Sequence, residues 1–186
     1  MTDAVSRRWV WFALIAGVVI ADQISKWVIL QTPSLNGLNC LDPMIRCGRI
    51  ELSSVFDLSM LWNRGISFGT LQSDGFMRWF LVAMTTCIAL GFGYWLLRAQ
   101  RWLTALSLAL VIGGAIGNLI DRVRFGAVVD FLDFSGPWFG AMIGKFPVGF
   151  PWVFNIADAA ITVGAVLLFL DQFLMSRSGA VEDKTG

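Results

Sequence analysis

The 186-residue sequence contains no histidine, only three cysteines, and 15% charged residues. Without histidine there is no Ser–His–Asp triad, no imidazole base and no His-ligated metal. Three cysteines cannot by themselves complete a zinc site. A soluble domain carries about 25% charged residues, so the charge deficit argues against one. The net charge of +1 gives no electrostatic reason to expect nucleic acid as a partner. Carboxylates, Ser/Thr hydroxyls, Lys, Arg and a few thiols remain for chemistry.

What the chain has instead is apolar sequence in long runs: 56% of its residues are hydrophobic. Four runs, about 9–30, 76–97, 102–120 and 152–174, each reach the ~20 residues that a helix rising ~1.5 Å per residue needs to cross a bilayer. The first follows Arg7 and Arg8 and resumes past Asp22 through Trp27–Leu30, too long for the ~7–15-residue core of a signal peptide. It reads as a retained span. The expected fold is an all-α integral membrane protein, one membrane domain over 1–186, with outward segments at about 31–75 and 121–151.

Arg7, Arg8, Arg98, Arg101, Arg177 and Lys184 lie on short stretches at the two ends and between spans two and three. Short flanking loops dominate the positive-inside rule, so both termini are expected on the cytoplasmic side. Trp9, Trp11, Trp27, Trp79, Trp95, Trp102 and Trp152 cluster at span ends, as interfacial aromatics do. Ile50–Leu52 and Val55–Leu61 have strand character, with turns at Pro33, Asn36-Gly37 and Asn63-Arg64-Gly65, which predicts a small β-rich element between spans one and two. Cys40 and Cys47 share that outward segment and are candidates for a disulfide on an oxidising side. Cys87, inside a span, is expected to be buried and inert.

Ionisable groups in spans cost ~2.5–3.5 kcal/mol at a helix centre, so each needs a reason. Asp22 and Lys26 are four apart and can pair, either as a snorkelling pair at the interface or in a structural or substrate-positioning role. In GGAIGNLIDR (113–122), Gly113 and Gly117 allow close helix contact, and Asn118 and Asp121 extend a polar stripe towards Arg122. Asp130 stands in apolar sequence after Ala127-Val128-Val129, and Asp133 follows. A capped helix end with an Arg–Asp pair is the plainer account of this stretch. The fourth span opens FNIADAA, where Asn155 and Asp158 share a helix face. A lone Asp there is also what a helix dipole favours.

Two carboxylates in apolar settings at one depth, Asp130 and Asp158, suggest more. Close carboxylates cannot both ionise cheaply, so they share a proton. One can then activate water while the other polarises a carbonyl, which hydrolyses an amide without histidine, metal or a serine nucleophile. Two other classes fit intramembrane Asp and Asn: a small transporter or proton-relay subunit, and a scaffold whose carboxylates only pair with Arg122 and Lys26.

The stretches DQISK (22–26), NRGISFG (63–69), GGAIGNLIDR with GAVVDF (113–131) and FNIADAAI (154–161), in this order on four spans, resemble the bacterial lipoprotein signal peptidase (signal peptidase II) family. The resemblance covers the chain from Asp22 to about Asp171. It implies an intramembrane aspartyl endopeptidase of the inner membrane that removes the signal peptide of prolipoproteins, cutting before a diacylglyceryl cysteine. It implies a catalytic pair at Asp130 and Asp158 near the periplasmic face. Asp22, Lys26, Asn63, Gly65, Phe68, Asn118, Arg122 and Asn155 would serve in substrate binding or structural support, with Phe68 and its turn covering the cleft. No metal or organic cofactor is expected. The partners would be prolipoproteins, membrane lipids and globomycin-type inhibitors. Two departures stand out: Ile66-Ser67 after the Asn-x-Gly turn, where Ala is frequent, and a long Gly/Pro-rich connection between Asp130 and Asp158. Both bear on the outward cover of the cleft.

Overall fold

The computed structural model describes residues 8–35, 47–65, 75–136, 138, 141–150 and 152–182. Among these, four helices are long and apolar enough to cross a membrane. They are α1 (Arg8–Gln31), α2 (Phe76–Arg98), α3 (Trp102–Phe125) and α4 (Ile156–Glu182). Six strands accompany them: β1 (Gly48–Glu51), β2 (Asp57–Asn63), β3 (Val128–Asp133), β4 (Met142–Ile143), β5 (Phe146–Pro147) and β6 (Val153–Phe154).

Helix α3 is the centre of the bundle and packs against the other three. Its small residues permit this. A Cβ on Gly114 would stand 2.3 Å from the Ala157 carbonyl oxygen of α4, and one on Gly117 would stand 2.6 Å from the Asp22 carboxylate of α1. Backbones at that range leave no room for a methyl group. Ala105, Leu108, Ala109 and Ile112 of α3 then bury Trp11 of α1 and Leu96 of α2. Trp11 is therefore a core residue and not part of the interfacial ring, whereas Trp9, Trp27, Trp79, Trp95, Trp102 and Trp152 are exposed.

Three helix boundaries differ from the apolar runs, one of them the end of α4, which continues past Leu174 to Glu182. Helix α3 continues past Ile120 through Asp121 and Arg122 and stops only at Gly126, whose φ of 76° makes a left-handed C-cap with its N–H on the Arg122 carbonyl. Helix α4 begins at Ile156 and not at Trp152, because Val153–Phe154 is spent as a strand against β3.

The expected small sheet is present, in the order β1-β2-β3-β6, all neighbours antiparallel. It is larger than the segment between α1 and α2 alone provides, since β3 and β6 flank the long connection. Met60, Trp62, Val129 and Phe131 bury one face against Ile29 of α1 and Leu35. Phe134 stacks between Phe56 and Phe154, at centroid distances of 4.8 and 5.7 Å. The connection itself forms the hairpin β4–β5.

Cys47 is disulfide-bonded; Cys40, its expected partner, lies outside the described residues, as do Ile66, Ser67 and Phe68. Cys87 is a free thiol on the exposed surface of α2. The expectation that it is buried fails because α2 touches the bundle along a narrow seam, with Leu81 and Leu96 its only buried residues.

Candidate active site

The site forms where the sheet meets the ends of α1, α3 and α4. Asp130 sits on β3, fully buried, opposite Leu61 of β2. Its Oδ2 accepts from Asn63 Nδ2 at 3.0 Å and its Oδ1 from Asn155 Nδ2 at 2.7 Å. Asn63 is held in turn by the Gly65 N–H, which donates to Asn63 Oδ1 at 2.9 Å. Gly65 has φ +91°, a conformation that suits glycine.

Asp158 enters from the first turn of α4. The Asp158 N–H donates to Asn155 Oδ1 at 2.9 Å, and the Asn155 N–H donates to Asp158 Oδ2 at 3.3 Å. This is a reciprocal capping box, with Asn155 as N-cap and Asp158 as the third helical residue. It satisfies two donors that a helix start leaves open and fixes the carboxylate beside the positive end of the helix dipole. The other oxygen, Asp158 Oδ1, accepts from Asn118 Nδ2 at 2.7 Å.

Asn155 thus touches both aspartates: its side-chain NH2 holds Asp130 and its backbone N–H holds Asp158. Burial, and then the charge of Asp158, push the Asp130 carboxyl up to about 7 from its ordinary 3.8. The two causes are those expected for carboxylates that share an apolar site. One oxygen of Asp130 and one of Asp158 are engaged by the same residue, and every contact on the pair is a neutral amide.

The neighbouring charges form a separate cluster. Lys26 Nζ lies 2.8 Å from Asp22 Oδ2, 2.8 Å from Asp121 Oδ2 and 3.1 Å from Asn118 Oδ1. Lys26 and Asp22 are buried within the bundle, so the pair does not snorkel. Asp121 takes Lys26, with Gln23 Nε2 at 3.0 Å, and not its sequence neighbour Arg122. Arg122 is half-buried, and its guanidinium makes no hydrogen bond or ion pair among the described residues. The carboxylates close enough to act on its charge are Asp158, Asp130 and Asp121.

Of the residues singled out from sequence, Asp22, Lys26, Asn63, Gly65, Asn118, Asp130, Asn155 and Asp158 are joined by the contacts above, and Arg122 stands by the pair. Phe68 lies outside the described residues. Sequence reading did not single out Gln23 or give Asp121 a site role. The signal for Asp121 was present, since it falls three residues after Asn118 on one helix face. Asp133 is buried but turned to a different purpose: Ser59 Oγ donates to it at 2.6 Å and the Ser135 N–H at 2.9 Å. No group of three or more His, Cys, Asp or Glu side chains among the described residues could hold a metal ion.

Comparison with known proteins agrees across sequence and structure. The family described as signal peptidase (SPase) II matches residues 14–174. The lipoprotein signal peptidase of Caulobacter vibrioides is 42% identical over 169 residues, covering 90% of this chain and 89% of that protein. That of Sphingopyxis alaskensis is 39% identical over 176 residues, covering 92% and 91%. A bacterial membrane enzyme solved by the in meso method at 2.3 Å superposes with a TM-score of 0.66 at 26% identity, covering 90% of this chain and 89% of its own.

Proposed function

The chain belongs to the signal peptidase II family and is a multi-pass membrane peptidase, and we propose that it cleaves prolipoproteins by an aspartyl mechanism, just before a diacylglyceryl cysteine. The observation that carries this reading is the pair of buried Asp130 and half-buried Asp158, bridged by Asn155. A transporter would need polar groups continued along the bundle. Among the described side chains of α4, the only buried ionisable group is Asp171, closed off by Arg101 at 2.7 Å and Thr104 at 2.5 Å.

In the proposed step, water is held between the pair. Asp158, as carboxylate, takes one proton of the water while its oxygen bonds to the scissile carbonyl carbon. Asp130 carries the shared proton and donates it to the carbonyl oxygen, giving a neutral gem-diol. Collapse breaks the C–N bond, the proton on Asp158 passes to the leaving amine, and a gem-diol proton returns to Asp130. Asp130 is assigned the proton because burial favours its neutral form. Asp158 is assigned the base because helix dipole and capping box favour a charge there. Arg122, unpaired beside the dyad, anchors the substrate backbone through a carbonyl oxygen.

Purified chain is expected to cleave a lipobox peptide bearing S-diacylglyceryl cysteine and to leave the same peptide without lipid intact. In that assay Arg122→Gln raises KM by about tenfold, the loss of one charge-assisted hydrogen bond, with the protein still folded. Equal cleavage of both peptides would remove the lipid-directed specificity, and no cleavage of either would remove the peptidase reading. Globomycin-type peptides are expected to compete for the cleft.

We further propose the bacterial inner membrane, with both termini cytoplasmic and the sheet end of the bundle on the periplasmic side. Arg98 and Arg101 flank the short α2–α3 turn, which supports that orientation. A reporter active only outside the cytoplasm should give signal when fused at about residue 55 and none at about residue 100. The reverse pattern would put the dyad near the cytoplasmic face.

A further inference from the structure

Each catalytic-site aspartate is preceded by a backbone N–H that is bound by a carboxylate from another element, Asp22 of α1 for one and Asp121 of α3 for the other. The Ala157 N–H, one residue before Asp158, donates to Asp22 Oδ1 at 3.0 Å. The Val129 N–H, one residue before Asp130, donates to Asp121 Oδ2 at 3.1 Å. Both carboxylates also bind Lys26 Nζ, at 2.8 Å each. The third proton of the ammonium goes to Asn118 Oδ1 at 3.1 Å, and with the Asn155 NH2 on the same oxygen at 3.1 Å it turns the Asn118 NH2 towards Asp158.

We propose that Lys26 is a positioning residue: it ties the two strand and helix segments that carry Asp130 and Asp158 into one fixed spacing, without touching either aspartate. The inference rests on the dyad reading given above. An ammonium has three donors and no acceptor, and here all three are used on groups one step from the dyad. The two arms are alike in chemistry although they end on different elements. One holds an open N–H of the first turn of α4. The other holds an N–H of β3 outside the strand ladder. Gln23 locks the arms together, donating to Asp22 Oδ2 at 3.2 Å and Asp121 Oδ1 at 3.0 Å.

A purely structural salt bridge would serve equally anywhere in the bundle. The Arg101–Asp171–Thr104 cluster at the opposite end is that kind, with no contact to the site. Lys26 differs in that its partners converge on the two segments whose separation decides whether one water can touch both carboxyls. Misplacing reacting groups by about 1 Å costs rate steeply while leaving the binding surfaces in place.

The test uses full-length protein in detergent. Lys26→Met alone would leave two carboxylates buried against no cation, which invites misfolding. The doubles Lys26→Met/Asp121→Asn and Lys26→Met/Asp22→Asn each keep the net charge of the trio at one negative, as in the parent. Both are expected to fold, with kcat about 100-fold lower and KM within about threefold. Amide hydrogen exchange should rise in the peptides holding Val129 and Ala157, a reading that needs no substrate. Thr104→Val is the control, expected to lower Tm and leave kcat unchanged. Doubles that fold with parental kcat or parental exchange would overturn the proposal. So would doubles that both fail to fold, since Lys26 would then be a folding residue. If the parent chain cleaves no lipopeptide, the functional reading falls while the exchange arm still judges the positioning role.

Discussion

Asp130→Asn and Asp158→Asn are each expected to lower kcat by about a thousandfold or more, with the protein still folded and membrane-inserted. Asn keeps the volume of Asp, so neither change opens a cavity. It removes the group that exchanges protons. At position 158 the variant cannot take a proton from water, although its amide oxygen still accepts the Asn155 N–H of the capping box. At position 130 it has no acidic proton for the carbonyl oxygen. There the new NH2 also meets a donor, because both Asp130 oxygens face amide NH2 groups and the Asn63 amide is held in orientation by Gly65. Asp133→Asn is the control in the same strand. Its partners are Ser59 and the Ser135 N–H, so it should cost stability and leave most of the rate. Turnover above a few per cent of the parent in either dyad variant, or complete loss in Asp133→Asn alone, would move the chemistry to a different carboxyl.

The four spans were legible because a bilayer imposes length and apolarity on any helix that crosses it, and those are properties of contiguous sequence. The ends were less so. Asp121 and Arg122 look like a helix terminus, because a charge in sequence is indistinguishable from a solvated one. Their helix continues because Lys26 and Gln23, almost a hundred residues away, meet Asp121 inside the bundle. Trp152 to Phe154 are as apolar as a span, and only the pairing of Val153 with Asp133 and Phe154 with Leu132 makes them a strand. The strand carrying Asp130 has the same origin: its partner β2 lies over sixty residues earlier.

The candidate site was legible in kind, since Asp and Asn in apolar runs are costly and therefore informative. The shared face of Asn155 and Asp158 was readable from spacing, but their capping box was not, because the helix start at Ile156 depends on Val153–Phe154 pairing with β3. The partners of each group were not, because proximity in the bundle depends on Gly114 and Gly117 letting three helices approach. Arg122 illustrates the limit: adjacency suggested Asp121 as its partner, but adjacent helical residues point away from each other.

The rate is expected to fall about tenfold per pH unit above about 7, as Asp130 loses the proton that it lends to the carbonyl. The cause is burial first and the charge of Asp158 second, opposed by the amides of Asn63 and Asn155 and by the more distant Lys26. Stability has the matching sign. The folded-state pKa of Asp130, about 7, lies above its ordinary 3.8, so the folded protein binds this proton more tightly than the unfolded chain does. Its contribution to stability is complete below 3.8 and declines as pH rises towards 7, beyond which none remains. Other groups titrate over the same range, so the useful quantity is a difference. Asp130→Asn has no proton to lose at this position, and the Tm of the parent should fall relative to the variant between pH 4 and pH 8. The same variant has lost its rate, so one residue would then hold activity and instability together. A parent–variant gap that stays constant over that range would show that Asp130 is ionised throughout, and the shared proton would have to be assigned to Asp158.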